Sequence, residues 1–202
     1  MKNDNFKDMK WQNHYFLMRH GKTIHQAEKK DIEYPAFDNP PTSLIKEGRQ
    51  QVLASAERLK KDNARIDLIF SSDYLRTRQT TDIVAKKLKI KDIQFDKRLR
   101  DINIGVLHGK HISAYKKFFN DESQRFKITP DNGESWNDVR NRVKEFIEEI
   151  DKKYKDKNIL IVSHGDPLWF LAGVLNGFQT DEQYLNVRYK KLYPQTGQVI
   201  KI

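Results

Sequence analysis

Residues 15–23 read YFLMRHGKT: four large, mostly apolar residues run directly into an arginine, a histidine and a glycine. The apolar run does not alternate with polar residues, and this is typical of a strand that is buried on both faces. The glycine that follows would let the backbone approach a ligand closely. The stretch therefore predicts a buried strand that ends in a ligand-binding loop.

Two other apolar runs end in the same way. Residues 66–70 are followed by SSDYLR at 71–76, and residues 159–162 are followed by SHGD at 163–166. The carboxyl ends of parallel strands share one edge of a sheet, and ligands bind at that edge. We therefore expect two histidines and two arginines from separate segments to meet there: Arg19, His20, Arg76 and His164.

The rest of the chain alternates short apolar runs with longer helical patterns, which indicates an α/β fold. The predicted strands are residues 15–18, 66–70, 93–95 and 159–163, with later strands near 184–189 and 198–200; the predicted helices are 47–61, 78–88 and 135–154. Ser135 and Asp138 resemble a capping box, and Trp136 belongs to the apolar stripe of the third helix. We predict one domain over residues 1–202, a three-layer sandwich with a mostly parallel central sheet flanked by helices.

Residues 103–133 differ from this pattern. They contain Gly105, Gly109, Pro130 and Gly133, together with a short amphipathic stretch at 112–119. Loop-rich segments of this length often cover a functional site, but a plain surface insertion has the same composition. Both interpretations, a lid and an insertion, stay open from the sequence.

The composition limits the classes of function. The 202 residues include no cysteine, which excludes disulfides and thiolate catalysis and fits a reducing compartment. No segment resembles a signal peptide or reaches the length of a membrane span, so we expect a cytoplasmic protein without a membrane partner. The net charge is +10, but the lysines are scattered. We therefore attribute the excess to solubility and to attraction of a small anion, and we expect no nucleic-acid partner.

The residue types after the three strands suit phosphoryl transfer. A neutral imidazole can attack phosphorus and form a covalent intermediate. Arginine binds phosphate oxygens two at a time and stays charged when it is buried. Such catalysis is mainly positioning and stabilisation of charge on the phosphoryl oxygens.

These motifs resemble those of the histidine phosphatase superfamily, which includes phosphoglycerate mutases and many small phosphatases. RHGKT at 19–23 resembles its RHGxT signature, and residues 71–80 resemble SSxLxRxxQT. Four further segments follow in the family's order: LIKEGRQQ at 44–51, LRDINIG at 99–105, GES at 133–135 and SHG at 163–165. The resemblance implies the phosphoglycerate mutase-like fold.

The resemblance also implies roles. His20 would be the nucleophile, and Asp101 would stand where the family has a glutamate that acts as general acid and then as base. The implied phosphate-binding residues are Arg19, Thr23, Gln26, Arg76 and His164. No cofactor and no metal are implied, because guanidinium groups would supply the positive charge.

The sequence departs from the family pattern at three positions. Asp101 is one methylene shorter than glutamate, so Asp166 competes with it as proton donor. Gln26 replaces the usual asparagine. Ile45 replaces a threonine that would cap a helix, and we expect Thr42 or Ser43 to provide that cap.

We expect a metal-independent phosphomonoester hydrolase that acts through a phosphohistidine on a small phosphorylated metabolite. The alternatives are phosphoglycerate mutase-type transfer and a non-catalytic module that binds a phosphorylated ligand. The expected specificity residues are Tyr34, Phe37, Lys110, His111, Lys116 and Lys117. We interpret His14, His25, His108 and His111 as surface or loop residues, but His108 and His111 would instead touch the substrate if residues 103–133 form a lid. We interpret Arg78 and Arg100 as solvated or salt-bridged, and Glu134 as a residue of a first helical turn.

Overall fold

The computed structural model describes residues 11–29, 31–36 and 42–202. Five strands lie within these residues: β1 (His14–Arg19), β2 (Leu68–Ser71), β3 (Ile93–Phe95), β4 (Asn158–Ser163) and β5 (Val199–Lys201). They form one sheet in the order β3-β2-β4-β1-β5. All neighbouring pairs are parallel except β1 and β5, which are antiparallel. The prediction of a mostly parallel central sheet is confirmed.

The helices are α1 (Ile24–Glu28), α2 (Lys46–Lys61), α3 (Leu75–Leu88), α4 (Ile112–Phe118), α5 (Trp136–Lys153), α6 (Gly165–Leu175) and α7 (Asp181–Tyr189). Short 3₁₀ turns occupy Lys97–Leu99, Gly105–Leu107 and Glu122–Phe126. None of the helices among the described residues is both long enough and apolar enough to cross a membrane.

The core has two parts, one on each face of the sheet. Successive strand residues point to opposite faces, so Phe16 and Met18 pack with α2 and α3, whereas Tyr15 and Leu17 pack with α5, α6 and α7. Every residue from Ile159 to Val162 of β4 is fully buried, as expected for a central strand covered by helices on both faces. The predicted three-layer sandwich is therefore confirmed.

The predicted strand near residues 184–189 is wrong, because this segment forms α7. The signal for a helix was present in the sequence: Thr180 caps α7, and Gln183 completes a capping box with it. Three other helices, α1, α4 and α6, were not among the predicted helices, although α4 lies within the stretch at 112–119 that was recognised as amphipathic. Helix α6 is buried over almost its whole length, so its residues show no polar face that would give a helical period.

The predictions for the helix starts had different outcomes. Ser135 and Asp138 form the expected capping box at the start of α5, and Trp136 is fully buried in the core. The expectation that Thr42 or Ser43 caps α2 is wrong, since Ile45 occupies the N-cap position and its side chain makes no capping hydrogen bond. Helix α3 begins at Leu75, three residues earlier than predicted, and therefore includes Arg76.

Candidate active site

The loop after β1 is held against the first turn of α2. A side chain on Gly21 would overlap the backbone of Gly48, and a side chain on Gly48 would overlap the backbone of Lys22. The amide of Gly21 also donates to Thr80 Oγ1 at 3.2 Å. The two glycines therefore permit a close approach that fixes the position of His20.

His20 is almost completely buried, and its hydrogen bond defines its protonation. Nδ1 lies 2.9 Å from the carbonyl oxygen of Gly21. A carbonyl can only accept, so Nδ1 donates and the neutral ring keeps its lone pair on Nε2. Burial, together with the charges of Arg76 and Arg19, holds the pKa of His20 well below its ordinary value. The ring is thus held neutral with the nitrogen of a nucleophile available.

His164 and Arg76 lie beside this ring. The centroids of the His20 and His164 rings are 5.3 Å apart. Arg76 Nε donates to His164 Nδ1 at 3.1 Å, and His164 Nε2 lies 2.9 Å from Ser72 Oγ, to which it donates. Burial and the Arg76 charge hold the pKa of His164 well below its ordinary value. The expected convergence of residues 20, 76 and 164 is present.

Arg19 completes the positive charge of the site. Its Nε is buried and has no hydrogen-bond acceptor among the described residues. A side chain on Gly165 would lie 3.2 Å from the guanidinium carbon, so the glycine at the start of α6 makes room for Arg19. Arg19 also lines the large cleft described below. A half-buried arginine that lines a cleft is suited to binding an anion.

The two candidate proton donors lie in different surroundings. Asp101 Oδ2 is 3.1 Å from Arg76 Nη2 and 3.7 Å from His164 Nδ1, and burial raises the pKa of Asp101 in spite of the Arg76 charge. Asp166 is paired with Arg188 at 2.9 Å. Burial opposes ionisation of Asp166 too, but Arg188 and Arg125 outweigh it, so the pKa of Asp166 is lowered.

Thr23, Gln26 and Tyr34 are joined by hydrogen bonds beside Arg76. Thr23 and Gln26 form a capping box at the start of α1, in which Gln26 Oε1 accepts from the Thr23 amide at 3.1 Å. Thr23 Oγ1 lies 2.6 Å from the hydroxyl of Tyr34, and the Arg76 guanidinium lies 4.5 Å from the centre of the Tyr34 ring. Since Gln26 uses its carbonyl oxygen in the cap, only its amide nitrogen is available to a phosphate.

A cleft of about 720 Å³ opens from this site. Residues 103–133 supply much of its wall, including Ile112, Tyr115 and Arg125. Their backbone is tied to the segment at 31–36: Ile112 N donates to Asp31 O at 2.8 Å, and Gly109 N donates to Tyr34 O at 3.1 Å. The segment predicted as a lid or an insertion therefore borders the cleft.

The remaining sequence-based interpretations had mixed outcomes. His25 was expected at the surface, but it is buried against Tyr34, with ring centroids 4.2 Å apart, because α1 turns it inward. His14 and His111 are exposed, and His108 lines a small pocket together with Tyr34 and Arg76.

The charged residues outside the motifs form salt bridges or lie at the surface. Arg100 pairs with Asp73 at 2.6 Å as expected. Arg78 is exposed, its Nε donating to the Asp73 carbonyl at 2.7 Å, and Glu134 pairs with Arg142 at 2.8 Å. Phe37 lies outside the described residues.

Sequence reasoning missed four polar residues at the site or its cleft: Glu33, Ser72, Arg125 and Arg188. Ser72 was within reach, since it follows β2 directly. The other three lie in segments without a recognisable motif and are brought to the cleft by tertiary packing. Within the described part of the chain, no three His, Asp or Glu side chains form a group that could hold a metal ion.

The chain resembles known proteins over most of its length. The histidine phosphatase superfamily (branch 1) matches residues 15–192. A protein named "Probable phosphoglycerate mutase GpmB" from Escherichia coli is 35% identical over 169 residues, which are 80% of this chain and 74% of that protein.

Two solved structures have the same fold. YhfR of Bacillus stearothermophilus is 26% identical and has a TM-score of 0.75, with 94% of this chain and 90% of that one covered. A mycobacterial glucosyl-3-phosphoglycerate phosphatase with inorganic phosphate is 25% identical and has a TM-score of 0.65, with 80% and 78% covered. With 178 of its residues matching the family, this chain belongs to the histidine phosphatase superfamily.

Proposed function

We propose that this protein is a phosphomonoesterase that hydrolyses a small phosphorylated metabolite through a phosphohistidine at His20, without a metal ion. The observation that carries the proposal is the state of His20: its Nδ1 donates to the Gly21 carbonyl, so Nε2 keeps its lone pair beside two arginines. Arg19 and Arg76 supply the positive charge that phosphoryl transfer requires. Such metabolites are made inside cells, and the proposal therefore includes a cytoplasmic location.

In the first step, His20 Nε2 attacks phosphorus in line with the leaving oxygen. The N–P bond forms as the P–O bond to the leaving group breaks, and Asp101 gives its proton to the departing oxygen. The guanidinium groups of Arg19 and Arg76 stabilise the charge on the other three phosphoryl oxygens. His164 is held beside the phosphoryl group by its bonds to Arg76 and Ser72.

In the second step, water hydrolyses the phosphohistidine. The Asp101 carboxylate takes a proton from the water as its oxygen bonds to phosphorus and the N–P bond breaks. Inorganic phosphate leaves, and His20 and Asp101 return to their starting protonation states.

Asp101 is the proposed acid because its surroundings favour the protonated form. Burial raises its pKa, and it lies within 4 Å of both Arg76 and His164. Asp166 is held ionised by Arg188, so it has no proton to give. The competing donor of the sequence interpretation is therefore assigned to the wall of the cleft.

The first alternative is phosphoglycerate mutase-type transfer, which is favoured by the name of the E. coli relative. Hydrolysis and transfer share the phosphohistidine and differ in the acceptor, which is water or the hydroxyl of a sugar acid. If the phosphoryl group is transferred to a sugar acid and little inorganic phosphate is released, the protein is a mutase. The second alternative, a non-catalytic binding module, does not require the free nucleophilic nitrogen of His20.

The test of the proposal replaces His20 with Ala or Asn and measures phosphate release from p-nitrophenyl phosphate. We expect turnover to be abolished, and we expect the unmodified protein to form an acid-labile, base-stable phosphoryl adduct that the variants lack. His14→Ala is the matched control, because His14 is an exposed histidine at the far end of β1. Undiminished activity of the His20 variants would overturn the proposal.

A further inference from the structure

The proposed mechanism leaves one carboxylate at the site without a role. Glu33 is half-buried where the small pocket beside Arg76 and Asp101 joins the large cleft, and it lines both. Its carboxylate makes no hydrogen bond and no ion pair with any residue in the described part of the chain. A carboxylate that is partly removed from water without a partner is costly, so the position suits a ligand that carries a positive charge.

The backbone holds Glu33 in this place. The amide of Glu33 donates to the carbonyl of Lys110 at 2.8 Å, and the next carbonyl, that of Tyr34, accepts from Gly109 at 3.1 Å. Burial raises the pKa of Glu33, while the charge of Arg125 opposes this effect. The backbone thus keeps Glu33 in the part of the chain that lines both the small pocket and the large cleft.

Arg125 supplies the opposite charge in the same cleft. Its side chain is only 13% exposed, and its guanidinium stacks 4.0 Å from the centre of the Trp136 ring. Nη2 donates to the hydroxyl of Tyr115 at 2.6 Å, which fixes the direction of the fork.

One carboxylate pairs directly with Arg125, and the charge of Arg125 also helps to lower the pKa of Asp166. Nη1 is 3.4 Å from Glu122, and the same carboxylate oxygen accepts from Arg188 at 3.1 Å. The Nε of Arg125 is buried without an acceptor among the described residues. Because Nε is closed to solvent, a carboxylate of the ligand would meet Arg125 where its side chain lines the cleft.

We propose that the cleft selects a phosphorylated amino acid, with Arg125 binding the carboxylate and Glu33 binding the ammonium group of the leaving alcohol. The inference rests on the phosphatase function proposed above and names the substrate class of that site. A neutral sugar would leave Glu33 without a counter-charge and would make no use of the charge of Arg125. A substrate with a carboxylate alone would still leave Glu33 unpaired. O-phosphoserine is the smallest compound that carries both groups beside the phosphoester, and its hydrolysis gives serine and inorganic phosphate.

The experiment compares four phosphoesters that differ only in the two charged groups. O-phosphoserine carries both, 3-phosphooxypropanoate lacks the ammonium, O-phosphoethanolamine lacks the carboxylate, and ethyl phosphate lacks both. We expect kcat/KM to be highest for O-phosphoserine, by about 10-fold or more over each single-group ester, as a charged hydrogen bond at a buried site contributes.

Two substitutions then assign each group to its residue. Arg125→Gln should lower the ratio of kcat/KM for O-phosphoserine to that for O-phosphoethanolamine by about 10- to 100-fold. Glu33→Gln should lower the ratio of kcat/KM for O-phosphoserine to kcat/KM for 3-phosphooxypropanoate by a similar factor. The ratio of kcat/KM values for two substrates, measured in one preparation, does not depend on the fraction of protein that is folded. Arg125→Lys is a second variant, which keeps the positive charge.

Each matched control removes one charge of the same sign as the residue it controls for, at a position close to it in the chain. Lys127→Gln and Asp31→Asn change exposed residues that do not line the cleft, and they should leave both ratios unchanged. Hydrolysis of ethyl and p-nitrophenyl phosphate without any preference for O-phosphoserine would overturn this inference and leave the phosphatase intact. If His20→Ala and the unmodified protein were equally inactive on every ester, the proposed function itself would fail.

Discussion

At the scale of single residues, the chemistry depends on two opposite pKa shifts within one site. Burial lowers the pKa of His20, which keeps the nucleophile neutral, and raises the pKa of Asp101, which favours the protonated form of the acid. Both shifts have the same origin, because burial disfavours the charged form of every group. The site therefore obtains a nucleophile and a proton donor from the same low-dielectric surroundings.

The role of Asp101 can be tested with leaving groups of different quality. Asp101→Asn should slow an alkyl phosphate by about 10²- to 10⁴-fold, the usual contribution of a general acid, and p-nitrophenyl phosphate far less, because its leaving oxygen needs no proton. The measurement is kcat/KM for both esters. Asp166→Asn is the control, and selectivity appearing in that variant instead would show that Asp166 is the donor.

The pH profile offers a second readout of the same group. A general acid must be protonated, so kcat/KM for the alkyl ester should fall as the pH rises through the raised pKa of Asp101. Burial and the charges of Arg76 and Arg19 lower the pKa of His20, so protonation of the nucleophile is shifted toward lower pH. In Asp101→Asn, the fall toward higher pH should disappear; persistence of the same limb would contradict the assignment.

At the scale of elements, the strands and helices that could be predicted are those with a recognisable pattern in their own residues. The strands that carry the site and the start of α5 follow from apolar runs and from the Ser135 capping box. Helix α6 lacks a polar face, and the tyrosines and valine of α7 favour strand, so periodicity and propensity failed there. The cleft wall could not be predicted either. Arg125 and Arg188 share the carboxylate of Glu122, and this contact depends on the packing of α7 against α6.

The contact between α2 and the loop after β1 gives a prediction for Gly48. Replacing a helical glycine with alanine ordinarily stabilises a helix by about 1 kcal/mol. In Gly48→Ala, the new methyl group would overlap the backbone of Lys22, so we expect a loss of about 1 to 3 kcal/mol and a large fall in kcat/KM. Urea unfolding and steady-state kinetics measure the two effects.

The control for Gly48→Ala is Ala54→Gly on the exposed face of the same helix. This change should cost about 1 kcal/mol through helix propensity and leave kcat/KM unchanged. Equal stability and activity of Gly48→Ala and the unmodified protein would show that the loop does not depend on this close approach.

At the scale of the whole molecule, the buried histidines link the fold to pH. His20 and His164 bind protons less readily in the folded chain than in the unfolded chain, whose histidines titrate near their ordinary pKa of about 6.5. Above that pH both states are neutral and the two residues contribute nothing to the pH dependence. Below it only the unfolded state gains protons, so stability falls, by up to about 1.4 kcal/mol per group for each pH unit.

The prediction is a lower urea midpoint at pH 5.5 than at pH 7.5. The double variant His20→Gln/His164→Gln should show a smaller decrease over the same range. Asp101 acts in the opposite direction, since its raised pKa stabilises the fold at low pH and this contribution is lost as the pH rises through that pKa. Both proteins contain Asp101, so its contribution cancels when the change in urea midpoint between pH 7.5 and 5.5 is compared between them. An unchanged pH dependence in the double variant would contradict the prediction.

The pairing of residues 31–36 with residues 108–112 gives the molecule a mechanical property. If the cleft wall swung while keeping the bond from the Gly109 amide to the Tyr34 carbonyl and the bond from the Glu33 amide to the Lys110 carbonyl, the side chains of Glu33 and Tyr34 would move with it. Tyr34 would then leave the Thr23 hydroxyl and the face of Arg76. Opening of the cleft by such a movement would therefore also separate Tyr34 from Thr23 and Arg76, and these contacts would form again only when the wall returned.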